Sequence, residues 1–534
     1  VGSFLVARPA GPRVRLTRPF CHRRPERRTP DSVDFLTPVP GGTTIASMQR
    51  LSGLDAAFLY LESPSQPLHV CSVLELDAST IPGGYSFAKL RDNLALRITA
   101  MPEFREKLSD SPLNIDHPVW VEDKDFDVER HVHRIAVPAP GGRTELAEMC
   151  GHIAALPLDR TRPLWEMCVI EGLDGTDPHA GGRIAVLTKV HHAAVDGVTG
   201  ANLMSQLCTT EPDAAPPEPV AGGGDANPLR IALGGLGRFA TRPLTLATSV
   251  LPATVSTVVD TVRRAAGGRA MAAPFAAPQT PFNASITAHR NVAFAELDFE
   301  DIKTVKNHFG VKVNDVILSV VAGALRTYLT KRDALPETPV LATVPMSTRD
   351  AGDETPGNHV HTMIASMCTD VEDPVERLSA IHNGMNSAKA LAEDLQAGQS
   401  IGLTDFAPPV LLNLVFKGFR AAKLEDKLPL ASNLIVSNVP GPPIQLYMAG
   451  AKIEHIVPVG PLTVGMGINV TVFSYGGNVD VGIQADPDLV EDPWEILEGA
   501  KAELDRLLAA SGWVEPAPKD AEVPPGGSSP DNAE

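Results

Sequence analysis

The chain has 534 residues, room for roughly two to four domains and a sizeable core. Hydrophobic residues make up 43% and charged residues 21%, a balance foreign to a wholly disordered or membrane-embedded protein. The formal net charge of −18 and pI near 5.3 repel phosphate backbones, so a nucleic acid partner is not expected.

Residues 1–47 hold eight arginines, no lysine and three acids, with many prolines and no apolar periodicity. They read as a disordered basic extension without a secretory signal. An overlong reading of the gene, begun upstream of Met48, would produce the same segment. From Met48 to Cys208 an α/β texture is expected. Residues 68–76 alternate like a strand, 87–100 and 145–155 repeat apolar residues at helical spacing, and 183–190 (RIAVLTKV) suit a buried strand, followed by helical periodicity over 198–207.

Residues 209–229, rich in Pro, Ala and Gly, read as a linker, and 229–273 as broken helices, so 209–280 form a crossover. A second α/β half, 281–510, is expected to carry a strand at 292–297, helices at 299–309 and 313–332, a strand at 340–344 and a long helix at 374–397. Residues 409–420 (PVLLNLVFKGFR) suit a core helix or a lipid-facing element. Two strands, 464–475 and 479–483, would form a hairpin about Gly476-Gly477, and a helix at 493–509 precedes a disordered tail, 511–534. No apolar run is long enough to span a bilayer. The best, 240–262, is broken by Arg242, Pro243, Pro252 and Asp260. The six cysteines show no metal-ligand spacing and read as reduced, mostly buried thiols of a cytoplasmic protein.

The strongest local signal is His191-His192-Ala193-Ala194-Val195-Asp196-Gly197, an HHxxxDG element after a predicted strand. A histidine of ordinary pKa is partly neutral at pH 7 and can take a proton from a hydroxyl as that oxygen attacks a carbonyl, a contribution of roughly 10²- to 10⁴-fold. Adjacent strand histidines point to opposite faces, and no further His or Cys cluster follows in sequence, so a metal site is not expected.

This element is similar to the catalytic segment of the CoA-dependent acyltransferase superfamily. Five further segments resemble the bacterial wax ester synthase/acyl-CoA:diacylglycerol acyltransferase family: LSGLDAAFLYLES from Leu51, Pro163-Leu164-Trp165-Glu166, Asn314-Asp315-Val316-Ile317-Leu318, Val344-Pro345-Met346-Ser347 and Ser437-Asn438-Val439-Pro440-Gly441-Pro442. The resemblance implies an α/β fold of two chloramphenicol-acetyltransferase-like halves with the active-site channel between them. It implies His192 as general base, His191 and Asp196 as supports, and Gly197 keeping the channel floor open. Pro163 and Trp165 are either substrate-lining or packed. Asn314 and Asp315 either cap a helix or enter the site. Ser437 and Asn438 either donate to an oxyanion or belong to a rigid proline turn.

The implied reaction moves a fatty acyl group from acyl-CoA, a co-substrate, to diacylglycerol or a long-chain alcohol, without metal or other cofactor. Peripheral contact with the inner membrane face or lipid droplets is implied by the lipidic substrates. Two rivals stand beside it: a condensation-type acyltransferase using carrier-protein thioesters, and a non-catalytic lipid-binding protein on the same fold.

Overall fold

The computed structural model describes residues 49–111, 114, 116–175, 182–194, 207–220, 231–232, 235–236, 277–347, 360–396, 414, 417–418 and 430–512. The expectations for 1–47, 198–206, most of 221–273, most of 409–420 and 513–534 lie outside these residues, as do Val195, Asp196 and Gly197.

The first half runs α1 (Gly53–Leu61), β1 (His69–Asp77), α2 (Phe87–Ile98), β2 (Glu106–Ser109), β3 (Val119–Glu122), β4 (Val132–Ala136), α3 (Arg143–Ala155), β5 (Trp165–Glu171), β6 (Arg183–His191) and β7 (Cys208–Thr209). The second runs β8 (Asn291–Asp298), α4 (Phe299–Phe309), α5 (Val313–Thr330), β9 (Leu341–Ser347), β10 (Val360–Ser366), α6 (Pro374–Gln396), β11 (Leu434–Pro440), β12 (Tyr447–Met448), β13 (Ala451–Val459), β14 (Ile468–Tyr475), β15 (Asn478–Ala485) and α7 (Pro493–Ala510). The mixed α/β class expected from the sequence is the one observed.

Two large sheets organise these elements. One has the order β4-β5-β6-β1-β13-β12-β7, the other β10-β9-β11-β14-β15-β8. β12 and β13 lie in the second half of the sequence but complete the first sheet, where β13 pairs antiparallel with β1. A division of the chain at 281 therefore does not separate the sheets.

The period-two alternation of β14 serves both sides of the join. Ile468, Val470 and Val472 enter the core that α5 and α7 cover, whereas Phe473 and Tyr475 enter a core with α2 of the first half. A third core packs α3 and Val292 and Phe294 of β8 against the other face of the first sheet. β13 and β15 cross so closely that a Cβ on Gly482 would meet the Pro458 carbonyl oxygen at 1.8 Å, which makes a side chain there impossible without backbone movement. Beside this crossing His455 Nδ1 lies 3.0 Å from Asp480 Oδ1 and Nε2 lies 3.2 Å from Glu296 Oε2. Burial pulls the His455 pKa down, but the Asp480 hydrogen bond and the charges of Asp480, Glu75 and Glu296 raise it above its ordinary value.

Among the described residues no single helix is long and apolar enough to cross a membrane. Their five cysteines are free thiols, all but Cys368 buried.

Candidate active site

β6 is buried along nearly its whole length, because strands cover both edges and cores cover both faces. Its last residue, His191, has no solvent exposure, and His192 follows in a turn, half-buried. Backbone bonds fix that turn from three sides: His191 N–H donates to Leu164 O (3.0 Å), His192 N–H to Leu68 O (2.9 Å) and Ala194 N–H to His191 O (2.9 Å). The two histidines differ in burial, His191 enclosed and His192 half-buried.

α1 is started by a side-chain N-cap. Ser52 Oγ accepts from Asp55 N–H at 3.1 Å and donates to the Asp55 carboxylate at 2.6 Å, which is what Ser-x-x-Asp in LSGLD encodes. Four residues apart on the helix, Phe58 and its C-cap Glu62 reach the two histidines. The Phe58 ring stacks on His192, with centroids 4.0 Å apart and planes 19° from parallel. Glu62 lies under His191. Its Oε1 is 3.5 Å from His191 Nε2 and 3.0 Å from His69 Nε2. His69 arrives there because it is the cross-strand partner of His191 in the β1–β6 register. Arg160 closes the group, with Nε 3.0 Å from the second Glu62 oxygen and its terminal nitrogen also bound there.

Burial alone would raise the Glu62 pKa. The hydrogen bonds from His191 and His69 and the charge of Arg160 outweigh it and hold the carboxyl well below the usual range. His69 is pushed the other way: burial lowers its pKa against the pull of Glu62, so it is neutral at pH 7.

Although no further His or Cys cluster follows the pair in sequence, in space Glu62, His69 and His191 bring three potential ligand atoms within 4.8 Å of one another. The hydrogen bonds nevertheless argue against an ion there. Ala193 N–H donates to His191 Nδ1 at 2.9 Å, so in a neutral ring Nδ1 holds the lone pair and the proton sits on Nε2, facing Glu62. A metal on Nε2 would need the opposite tautomer and would compete with the Arg160 guanidinium for the carboxylate.

The other sequence candidates separate into two groups. Pro163 is buried, and Trp165, 3% exposed, opens β5 with Nε1 donating to Phe104 O (2.8 Å) and its ring stacked on His131 at 4.5 Å. The indole is fully engaged in packing, so the substrate-lining expectation for it gives way to a structural role. The same segment meets the histidine pair through its backbone, at Leu164 O.

In the second half, Asp315 accepts from Lys312 N–H (2.9 Å) at the start of α5 and pairs with His382 Nδ1 at 2.6 Å. It is buried and acts as a cap. Asn314 and Asn438 are brought together, the Asn438 amide donating to Asn314 Oδ1 at 3.3 Å. Ser437 and Asn438 stand within β11, paired with Thr471 and Val472 of β14, so SNVP is strand rather than turn. The described geometry does not join this pair to the histidine group.

The histidine group does lie where the halves meet. The loop after Glu62 is clamped from the second half by Val464 N–H donating to Gln66 Oε1 (2.9 Å) and by Arg290 donating to Ser65 O (2.6 Å). Phe58, Glu62, His69, Arg160 and His382 were not singled out from sequence. LSGLDAAFLYLES contains the first two, but their partners become visible only through the β1–β6 register.

Residues 51–317 match the model of the wax ester synthase/diacylglycerol acyltransferase catalytic domain, and 356–508 the C-terminal domain of the same enzymes. The chain belongs to the wax ester synthase/diacylglycerol acyltransferase family. A Mycobacterium tuberculosis protein with a provisional diacylglycerol O-acyltransferase name is 48% identical over 466 residues, 87% of this chain and 91% of its own. The solved wax ester synthase/diacylglycerol acyltransferase from Marinobacter aquaeolei VT8 superposes with a TM-score of 0.61 at 28% identity, over 87% of this chain and 100% of that one. The first condensation domain of the calcium-dependent antibiotic synthetase matches with a TM-score of 0.51 at 14% identity, over 88% of this chain and 97% of that one, a likeness of fold alone. Within the family, the histidine pair occupies the catalytic domain's matched span.

Proposed function

We propose that the chain transfers a fatty acyl group from acyl-CoA to the hydroxyl of diacylglycerol, or of a long-chain alcohol, with His192 as general base. The observation that carries this reading is the turn after β6. It holds His192, half-buried, against the Phe58 ring, next to His191 of the buried Glu62–His69–His191 group, in a chain with a wax ester synthase/diacylglycerol acyltransferase catalytic domain. His191, by contrast, has its tautomer fixed by Ala193 and Glu62 and is a support.

In the reaction the alcohol O–H gives its proton to the His192 imidazole as its oxygen attacks the thioester carbonyl carbon. The tetrahedral intermediate collapses, the C–S bond breaks, and the CoA thiolate takes the proton from the imidazolium, leaving an ester and free CoA. The thioester supplies the activation, so the proposal needs no metal and no prosthetic group. Asn438, whose amide is held by Asn314, is the proposed oxyanion donor. Because both substrates are lipidic, we place the activity at the cytoplasmic face of a membrane or a lipid-droplet surface.

Incubation of the purified chain with labelled long-chain acyl-CoA and diacylglycerol, a long-chain alcohol or neither, followed by lipid extraction, tests the reading. Labelled triacylglycerol or wax ester is the expected product. Label that stays in acyl-CoA with both acceptors, or moves only from a carrier-bound thioester, contradicts it.

A further inference from the structure

Phe58 and Glu62 lie on one face of α1, joined by the backbone bond from Glu62 N–H to Phe58 O at 3.1 Å. One helix therefore meets both histidines of the pair: Glu62 meets the buried one with a carboxylate, and Phe58 meets the other with a ring face. The 19° interplanar angle and 4.0 Å separation are those of a face contact. An aromatic face carries negative charge density and attracts a cation more strongly than a neutral ring. During turnover His192 becomes a cation when it takes the alcohol's proton and loses that charge when the departing thiolate takes the proton.

We propose that Phe58 is a positioning residue for the acyl transfer, holding His192 by its ring face and favouring the imidazolium that forms when the alcohol is deprotonated. This rests on the general-base role proposed above for His192. Because the contact strengthens as charge develops, it acts on turnover more than on substrate binding. Cation–aromatic contacts of this kind support a roughly 3- to 30-fold effect. α1 thus carries a tautomer-setting acid and a cation-stabilising ring one turn apart, a purpose for LSGLDAAFLYLES that helix packing alone does not supply.

The test compares Phe58→Leu, which keeps apolar bulk without a π face, with Phe58→Tyr, which keeps the face. Phe58→Met serves as a second flexible apolar replacement if Phe58→Leu unfolds. Thermal unfolding verifies that the variants compared are folded. The His192 imidazole is titrated by NMR in protein labelled at histidine carbons, its signal assigned by its loss in His192→Gln. Among the described residues, titratable groups near the turn include Glu62 on α1, His69 on β1, Lys189 and His191 on β6, Glu166 on β5 and Arg160 before β5, and all are common to the proteins compared.

His192 should titrate at lower pH in Phe58→Leu than in the wild type and return in Phe58→Tyr. The kcat should fall about 3- to 30-fold in the leucine variant with little change in KM for acyl-CoA, the acidic limb of its pH profile should move down, and tyrosine should restore both. An unmoved titration in the folded leucine variant overturns the proposal, as does failure of tyrosine to restore it. The titration needs no turnover, so a wild type without acyl transfer would refute the proposed function separately.

Discussion

Glu62 is an ionised carboxylate in a nearly dry place, its side chain 10% exposed, because Arg160 supplies a compensating charge and two imidazoles approach the same oxygen. Desolvation of a carboxylate costs several kcal/mol, and only such a full set of partners offsets it. Glu62→Gln keeps an acceptor for His191 and His69 but leaves Arg160 without its counter-charge. A loss of about 1–3 kcal/mol in unfolding free energy is expected, discounted because Arg160 is 45% exposed.

The sign with pH follows from the depressed carboxyl. Its stabilising contribution is fully present above the unfolded value of 4.5 and is lost as pH falls below it towards the folded value. Denaturant melts of wild type and Glu62→Gln should therefore converge as pH drops below 4.5 and stay apart at pH 7. A constant gap across that range would show that folding does not depress the Glu62 pKa. At this scale the sequence was informative about His192 and silent about its support: adjacent histidines can be read from a string, whereas the meeting of His69 with His191 depends on a pairing register across more than a hundred residues.

Elements with strong local signals were legible. α4 begins and ends where its periodicity does, Phe299–Phe309, and is closed by Gly310 at φ +67° in the left-handed region. The β14–β15 hairpin turns on Gly476 and Gly477, both at positive φ. β13 was not legible: AKIEHIVPV interleaves Lys452, Glu454 and His455 with its apolar residues, and its strand character comes from pairing with β1 and from packing on the second sheet. Tertiary context decides such a strand.

Its crossing with β15 supplies a stability prediction. Gly482→Ala puts a methyl into the Pro458 carbonyl, which neither strand can avoid without shifting a ladder. A cost of about 3 kcal/mol or more is expected, visible as a lower midpoint in thermal unfolding. An unchanged midpoint would mean the sheets are not in contact at that point.

The whole molecule is two sheets that trade elements, not two beads on a linker. β12 and β13 return to the first sheet, β14 feeds both cores, and Arg290 and Val464 of the second half fasten the loop that carries Glu62 towards the histidines. The two-half texture was readable because each half repeats strands and helices with their own periodicity. The exchange was hidden because the chain order of strands does not disclose their order in a sheet. This join fastens the loop after Glu62 to the second half, so the support of the histidine pair draws on both halves of the chain.

The most direct measurement is acyl transfer by purified His192→Ala beside the wild type, with matched thermal unfolding and labelled long-chain acyl-CoA and acceptor. A folded variant whose turnover is reduced by roughly 10²- to 10⁴-fold is the expected result. A folded variant that makes triacylglycerol or wax ester at near the wild-type rate would contradict the account.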